Sequence, residues 1–155
     1  MGSLLDKYLP AYTYSEYHSI IVNASTAKAY LATKELNLNR SGITKLLLRM
    51  RGLPTNDLTL SGFLKNVCFA LIEEHLYNEF VIQASQPNLS IFWNFYFTSI
   101  TSEQTLVSTE TRILCHTKKS RILFSIYWFF IKPFSGITRK EILRLIKENS
   151  ENFSF

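Results

Sequence analysis

The chain has 155 residues, of which 46% are hydrophobic and 19% are charged. This length fits one domain rather than two, and this composition excludes a disordered chain, a collagen-like repeat and a small disulfide-stapled fold. The net charge of +5 is moderately basic and does not by itself indicate a nucleic-acid binder. We therefore expect a single domain over residues 1–155.

Aromatic residues are abundant, with 12 Phe, 8 Tyr and 2 Trp. Each ring buries roughly 150 to 250 Å² when it enters a core, so we expect either a core rich in rings or rings that line a cavity. Charge is unevenly distributed along the chain. Residues 66–111 contain five acidic residues and no base, whereas residues 112–147 contain nine basic residues and Glu141 as their single acid.

The first part of the chain is predicted to contain one strand followed by helices. Alternating side chains predict a strand over Tyr12–Val22, with Glu16 interrupting its apolar face. Capping residues followed by apolar residues at helical spacing then predict three helices, over Thr26–Glu35, behind Ser41 and behind Thr59.

From about Val67 the apolar period changes from 3.6 to 2. This period predicts four strands: Val67–Leu76, Glu79–Ser85, Leu89–Ile100 and Thr105–His116. In the third of these strands the apolar rings share one face and polar side chains occupy the other. Such a pattern is typical of an antiparallel sheet that is covered on one side.

The last forty residues return to helical spacing. Residues Lys118–Lys132 are apolar on nearly every side, which predicts a helix that is surrounded by protein. Pro133 is expected to stop or kink this helix. A further helical segment, Ile137–Asn149, follows it.

Short motifs are spread over almost the whole chain: Leu4–Pro10, Glu16–Ile20, Arg51–Pro54, Ser108–Arg112 and Tyr127–Gly136. Together with the order of elements, they resemble a bacterial branch of the START-like, polyketide-cyclase-like (SRPBCC) superfamily. The resemblance implies an α+β helix-grip fold, in which a curved antiparallel sheet wraps around a C-terminal helix, here interrupted near Pro133, with two or three short helices after the first strand. It also implies an apolar cavity between sheet and helix, which the superfamily uses for lipids, sterols and polyketides.

A cavity of this kind needs a mostly apolar wall with few polar groups. The inward faces of the predicted strands and the aromatic terminal helix supply the candidates, and ordinary core packing is the alternative for each of them. The candidate ligand-binding residues are Phe69, Leu71, Trp93, Phe95, Phe97, Thr109, Thr111, Tyr127 and Trp128. The leading hypothesis is binding of a small hydrophobic or amphipathic ligand.

Two alternatives remain open. If the apolar half of Val67–Leu76 points inward, the same alternation carries Glu73 and His75 toward the cavity mouth, where they suit the acid/base chemistry of a cyclase or dehydratase. A solvated strand end is the simpler interpretation of this pair. The second alternative is binding to an anionic membrane or nucleic-acid surface through the basic C-terminal region, for which a solvated basic face is the simpler interpretation.

The sequence predicts no cofactor and no metal. The histidines at 18, 75 and 116 lack metal-ligand spacing, and no glycine-rich nucleotide motif is present. Cys68 and Cys115 are expected to be free thiols in a reducing cytoplasm, because no basic-then-apolar signal segment is found. We expect no transmembrane segment and no nucleic-acid partner, and the sequence leaves the oligomeric state open.

Overall fold

The computed structural model describes residues 2–153 of the chain. Neither the first helix nor the 3-10 turn of this structure is predicted from the sequence pattern. In chain order the elements are α1 (Leu4–Tyr8), β1 (Tyr14–Val22), α2 (Thr26–Lys34), a 3-10 turn (Leu38–Arg40), α3 (Gly42–Met50), α4 (Leu60–Asn66), β2 (Ala70–His75), β3 (Glu79–Gln86), β4 (Leu89–Thr101), β5 (Gln104–Cys115) and α5 (Lys118–Glu151).

The strands of the described chain form one antiparallel sheet of five strands, in the order β1-β5-β4-β3-β2. Hairpins join β2 to β3, β3 to β4 and β4 to β5, and β1 pairs with β5. Tyr77 and Asn88, in the first two hairpin turns, have positive φ angles of 61° and 64°. Left-handed residues of this kind match the twist of a tight hairpin turn. The side of the sheet that faces α5 is called the inner face below, and the opposite side the outer face.

The helices α2, α3 and α4 begin at the capping side chains that the sequence predicts. Ser25, Ser41 and Thr59 each accept a hydrogen bond from the backbone N–H three residues further on. The start of α4 also needs a glycine, because a Cβ atom at Gly62 would lie 2.2 Å from the carboxyl carbon of Asp57. That carboxylate accepts a hydrogen bond of 3.1 Å from the backbone N–H of Thr59.

One continuous helix of 34 residues, α5, contains Pro133 in its interior. The predicted interruption near Pro133 is therefore wrong. Proline removes one backbone donor and disfavours a helix by about 3 kcal/mol, but the turns on both sides are anchored. Phe124 packs against Ile113 and Cys115, while Ile142 lies in the main core. We attribute the continuity of α5 to this anchoring at both ends.

The first half of α5 is not surrounded by protein, which corrects the burial expected from the sequence. Phe124 is buried, but Ile122, Ile126, Phe129 and Phe130 are between 56% and 77% exposed. A helix that is apolar on all sides is buried only where protein covers every side. The sheet covers one side of this helix, and the described elements leave the other side open.

The main core fills one end of the inner face, where α2 and the second half of α5 cover the sheet. Tyr30 of α2 packs edge to face against Phe80 and Phe97, with ring centroids 6.1 and 5.4 Å apart. Ile142 and Ile146 of α5 are fully buried in the same cluster. A smaller cluster lies on the outer face beneath α1. It contains Leu4, Leu5, Leu9, Val81 and Phe92.

Candidate functional site

A cavity of about 660 Å³ lies between the inner face, α3, α4 and the first half of α5. This volume falls within the roughly 300 to 1,000 Å³ that is typical of small-molecule sites. Leu123 and Tyr127, which are 58% and 43% exposed, also line it, so the cavity reaches the surface beside α5. Its wall is mostly apolar and includes Leu48, Phe63, Ala84, Ile91, Ile113 and Phe124.

The structure places five of the nine candidate ligand-binding residues on the cavity wall: Phe69, Trp93, Thr111, Tyr127 and Trp128. Phe69 and Trp93 meet edge to face, with ring centroids 5.5 Å apart. On the opposite wall, Trp128 belongs to the ring cluster that holds the first half of α5 on the sheet. The cavity is thus bounded by aromatic rings from both the sheet and the helix.

Phe95 and Phe97 do not line the cavity, although the alternation of β4 correctly assigns both side chains to the inner face. Phe97 packs against Tyr30 of α2, and Phe95 stacks on Phe80 with centroids 5.0 Å apart. Both rings are essentially inaccessible to solvent. An inner-face side chain lines the cavity only where no helix covers it, and α2 covers this end of the sheet.

Thr109 and Leu71 also lie outside the cavity wall. Thr109 is buried beside Trp93, whose indole N–H donates to the threonine hydroxyl, and this hydroxyl donates to the carbonyl of Asn94 at 2.7 Å. Leu71 lies on the edge strand β2 and is 50% exposed. Both corrections have the same origin, because alternation predicts the face of a strand but not how much protein covers it.

A β-bulge at Ile72 turns Glu73 and His75 away from the cavity. Leu71 belongs to the inner face, but Glu73 pairs with Val81, whose side chain packs in the outer cluster. One extra residue in a strand reverses the alternation for the residues that follow. The expectation that alternation carries Glu73 and His75 to the cavity mouth is therefore wrong.

Glu73 instead binds the end of α1. Its Oε2 atom accepts hydrogen bonds from Lys7 Nζ at 2.5 Å and from the hydroxyl of Tyr8, and its Oε1 atom lies 3.1 Å from His75 Nε2. The hydrogen bond from Lys7, followed by that from Tyr8, lowers the pKa of Glu73 to about 2. A carboxylate that stays ionised at neutral pH in this way is a poor general acid.

Arg139 of α5 extends from the helix to the inner face of the sheet and lines the cavity, with only 9% of its surface exposed. Its Nε and Nη2 atoms donate to Thr111 Oγ1 at 3.1 and 2.7 Å, and its Nη1 lies 3.4 Å from Glu16 Oε2. The guanidinium carbon is 5.1 Å from the centroid of the Trp93 ring, a cation–π distance. Burial lowers the pKa of Arg139, and Glu16 acts in the opposite direction. The guanidinium nevertheless stays charged, since arginine does not lose its proton in proteins.

Glu16 lines a second groove, between β1 and α5, and pairs there with Arg139, which lines the cavity. Its Oε1 atom lies 2.8 Å from His18 Nε2, and both residues line this groove of about 610 Å³, whereas neither lines the cavity. A Cβ atom at Gly136 would come within 3.1 Å of the same Oε1 atom. Glycine at this position lets α5 approach the carboxylate closely enough for Arg139 to reach it.

Two further basic residues line the cavity. Arg51, the C-cap residue of α3, donates from Nη2 to the hydroxyl of Tyr127 at 2.7 Å. Lys119 lies in the first turn of α5. None of the residues of the described chain that line this cavity is acidic. The charged residues of the wall are therefore all positive, and they stand among neutral polar side chains such as Asn66 and Gln86.

Sequence reasoning missed Glu16, His18, Arg51 and Arg139 as site residues. Glu16 is visible in the sequence only as an interruption of the apolar face of β1, and Arg139 reads as part of a solvated basic face. The available signal was Glu16 alone. A carboxylate on the apolar face of a strand needs a partner, because a buried charge without one is costly, but Thr138, Lys140 and Glu141 around Arg139 do not mark it as that partner.

Residues 2–153 hold no cluster of three or more His, Cys, Asp or Glu side chains that is arranged to bind a metal ion. Cys68 is exposed, Cys115 is buried, and both are free thiols. Within the part of the chain that the structure describes, every helix is too short or too polar to cross a bilayer.

No protein-family model matches the chain, and no curated protein sequence matches it either. Solved structures are similar in fold. A START superfamily protein from Mycobacterium smegmatis aligns with a TM-score of 0.54 at 8% identity, over 92% of this chain and 100% of that one.

Two larger proteins match over one part of their length. The di-domain ARO/CYC BexL from the BE-7585A biosynthetic pathway aligns with a TM-score of 0.53 at 12% identity, over 91% of this chain and 51% of that one. The di-domain ARO/CYC StfQ from the steffimycin pathway aligns with a TM-score of 0.53 at 10% identity, over 95% of this chain and 53% of that one. The chain thus spans about half the length of each di-domain protein.

These likenesses show the fold. The protein has a START-like (SRPBCC) helix-grip fold, in which a curved antiparallel sheet of five strands holds a long C-terminal helix. The helix-grip architecture expected from the motif resemblance is confirmed, apart from the interruption near Pro133.

Proposed function

We propose that the protein binds a small hydrophobic or amphipathic molecule in the cavity between the sheet and α5. The observation that carries the proposal is the cavity itself, a space of about 660 Å³ beside a core that is filled by rings. The rings of Phe69, Trp93 and Trp128 line the cavity and can contact a ligand there. Aromatic rings supply large apolar contact areas. The basic residues of the wall add a site for one polar group of the ligand.

The enzymatic alternative with Glu73 and His75 as acid and base has less support. A general acid or base must come within hydrogen-bond reach of the substrate. This pair lies on the outer face, and the sheet separates it from the cavity. The carboxylate of Glu73 already accepts hydrogen bonds from Lys7 and Tyr8.

The proposal is tested with the neutral fluorophore N-phenyl-1-naphthylamine, which becomes bright in an apolar pocket. The chain should bind about one molecule of the dye, and Ala84→Phe should weaken binding because the new ring projects into the cavity and occupies part of it. Gln83→Phe is the matched control, since Gln83 is the preceding residue of β3 and does not line the cavity. Equal dye affinity of the two variants would overturn the proposal. Ile91→Phe, at a second lining position, covers the case in which Ala84→Phe does not fold.

A second candidate function is docking on an anionic membrane surface. The exposed side of α5 carries Ile122, Ile126, Phe129 and Phe130 at i, i+4, i+7 and i+8, a spacing that puts them on one stripe. Phe129 is 77% exposed. Exposed basic residues flank the stripe, namely Lys118, Arg121, Lys132 and Lys140.

Charge favours an anionic lipid surface over a second copy of the chain as the partner of this stripe. Residues 111–140 contain no acidic residue, so two copies placed stripe to stripe bring basic residues against basic residues. A helix with rings and aliphatic side chains on one face and Lys or Arg beside them is typical of helices that lie in the membrane interface.

Flotation with lipid vesicles tests this second candidate. We expect the protein to bind vesicles of phosphatidylcholine and phosphatidylserine but not phosphatidylcholine alone, and the double variant Phe129→Ser/Phe130→Ser to lose about tenfold or more of this binding. Tyr17→Ser/Ile21→Ser is the control, because these side chains of β1 are also exposed, at 56% and 50%. Equal binding of both vesicle types, a preference for an oligonucleotide, or a dimer that the double variant dissociates would contradict it.

A further inference from the structure

We infer that the ligand of the cavity carries an anionic group, a carboxylate or a phosphate, at the end of an apolar body. The inference rests on the proposed function, since it names the chemical class of molecule that the same cavity takes. Three observations carry it: the sign of the charges on the wall, the way Arg139 is held, and the partners of Arg51.

All charged side chains on the described cavity wall are basic. They are Arg51, Lys119 and Arg139. Glu16, which pairs with Arg139, faces the second groove and does not line the cavity. A ligand in the cavity therefore meets the guanidinium of Arg139, while the carboxylate that pairs with it lies on the side of the second groove.

Arg139 is fixed in place before any ligand arrives. Thr111, the backbone carbonyl of Ser135 and Glu16 accept its hydrogen bonds, and the centroid of the Trp93 ring lies 5.1 Å from its guanidinium carbon. A guanidinium held in this way loses little conformational entropy when it binds an anion, and its planar group of donors matches carboxylate and phosphate oxygens.

Arg51 reaches the cavity wall without a carboxylate partner from the described residues. Its guanidinium donates to the hydroxyl of Tyr127, and no carboxylate of residues 2–153 forms an ion pair with it. Arg51 also lies near enough to Arg139 for their repulsion to lower the pKa of Arg139. An anion bound beside Arg51 and Arg139 relieves this repulsion and gives Arg51 its missing partner.

Four probes that each contain a ten-carbon chain test the inference by calorimetric titration: decanoate, decyl phosphate, decanol and decyltrimethylammonium. Because each charge-assisted hydrogen bond contributes strongly in an apolar site, we expect decanoate and decyl phosphate to bind about tenfold more tightly than decanol. The cationic probe should bind most weakly. The preference for the anions should shrink as salt concentration rises.

Two pairs of variants locate the effect. Arg51→Gln and Lys119→Gln should each weaken decanoate binding severalfold and leave decanol binding unchanged. Arg49→Gln and Lys118→Gln are the matched controls, because these residues lie on the same two helices and do not line the cavity. Both pairs change surface side chains, so the folded state is expected to survive.

The outcomes separate the two proposals. If none of the four probes binds, the proposed function fails together with the inference. If decanol binds as tightly as decanoate, or if Arg49→Gln weakens decanoate as much as Arg51→Gln does, the inference about charge is wrong while the cavity remains a ligand site.

Discussion

The two faces of the sheet both bury charged side chains, but they differ in what lies beside those charges. On the outer face, Glu79 is 2% exposed and accepts hydrogen bonds from Ser3 Oγ, the backbone N–H of Leu4 and Asn94 Nδ2 at 2.7 to 2.8 Å. On the inner face, Arg139 is almost as deeply buried, yet it borders a cavity of about 660 Å³.

The comparison teaches that a buried charge alone does not identify a functional site. The charges of the outer face have their partners within the chain, as Arg112 does in its ion pairs with Asp6 and Glu110. Their role is to attach α1 to the sheet. The cavity wall on the inner face instead has more positive than negative charge, and this imbalance is available to a molecule from outside.

The largest expected effect separates two neighbouring residues of β4 on opposite faces. Trp93→Ala and Phe92→Ala should each lower the free energy of unfolding by about 3 to 5 kcal/mol, because each removes a buried ring. Only Trp93→Ala should also change binding of the naphthylamine dye. Urea denaturation and dye titration measure the two quantities. Comparable loss of dye affinity in Phe92→Ala would break the distinction between the faces.

The next effect concerns the buried pair on the inner face. Arg139→Met should destabilise the fold by about 3 kcal/mol, because it leaves the Glu16 carboxylate without its cationic partner. Adding Glu16→Gln to the same chain should restore part of this loss. Denaturation of the two single variants and the double variant completes the cycle. Strictly additive losses would show that the two side chains do not stabilise each other.

A smaller effect is expected on the outer face. Glu79→Gln should cost about 2 kcal/mol of stability, because an amide cannot accept all three hydrogen bonds that the carboxylate accepts. Binding of decanoate should be unchanged. Glu103→Gln, in the exposed turn between β4 and β5, is the control and should alter neither quantity. An altered decanoate affinity in Glu79→Gln would show that the two faces are coupled.

The smallest effect is a pH dependence at the end of α1. The pKa of Glu73 lies at about 2, below its ordinary value of 4.5, so its contribution to stability is complete above pH 4.5 and is lost as the pH falls through about 2. Carbon-detected NMR titration of the carboxyl group measures this pKa directly. Lys7→Met should raise it toward 4.5, because the lysine donates the hydrogen bond with the largest effect. An unchanged titration would assign the low pKa to Tyr8 instead.

Much of the fold follows from local sequence signals. Caps at Ser25, Ser41 and Thr59 mark the helix starts, and period-2 alternation gives the inner face of β4 because Trp93, Phe95 and Phe97 obey it without interruption. These signals depend on neighbours in the chain, so one sequence is enough to read them.

The candidate site was less predictable, because it depends on what distant segments cover. Phe97 and Trp93 have the same alternation signal, and only the position of α2 makes one of them core and the other cavity wall. The bulge at Ile72 has no signature in residue type, yet it transfers Glu73 to the other face. The continuity of α5 through Pro133 depends on packing at both ends of the helix.

The unbroken course of α5 has a practical consequence. The same helix forms the roof of the cavity through its first half and holds the middle of the hydrophobic interior through Ile142 and Ile146. A compound that binds only the native state should therefore stabilise the entire molecule against heat denaturation. At one hundred times its dissociation constant, it raises the free energy of unfolding by about 2.7 kcal/mol. Melting curves recorded with each member of a metabolite library would rank the metabolites by the rise in melting temperature. This ranking would point to the natural ligand without an assay for turnover.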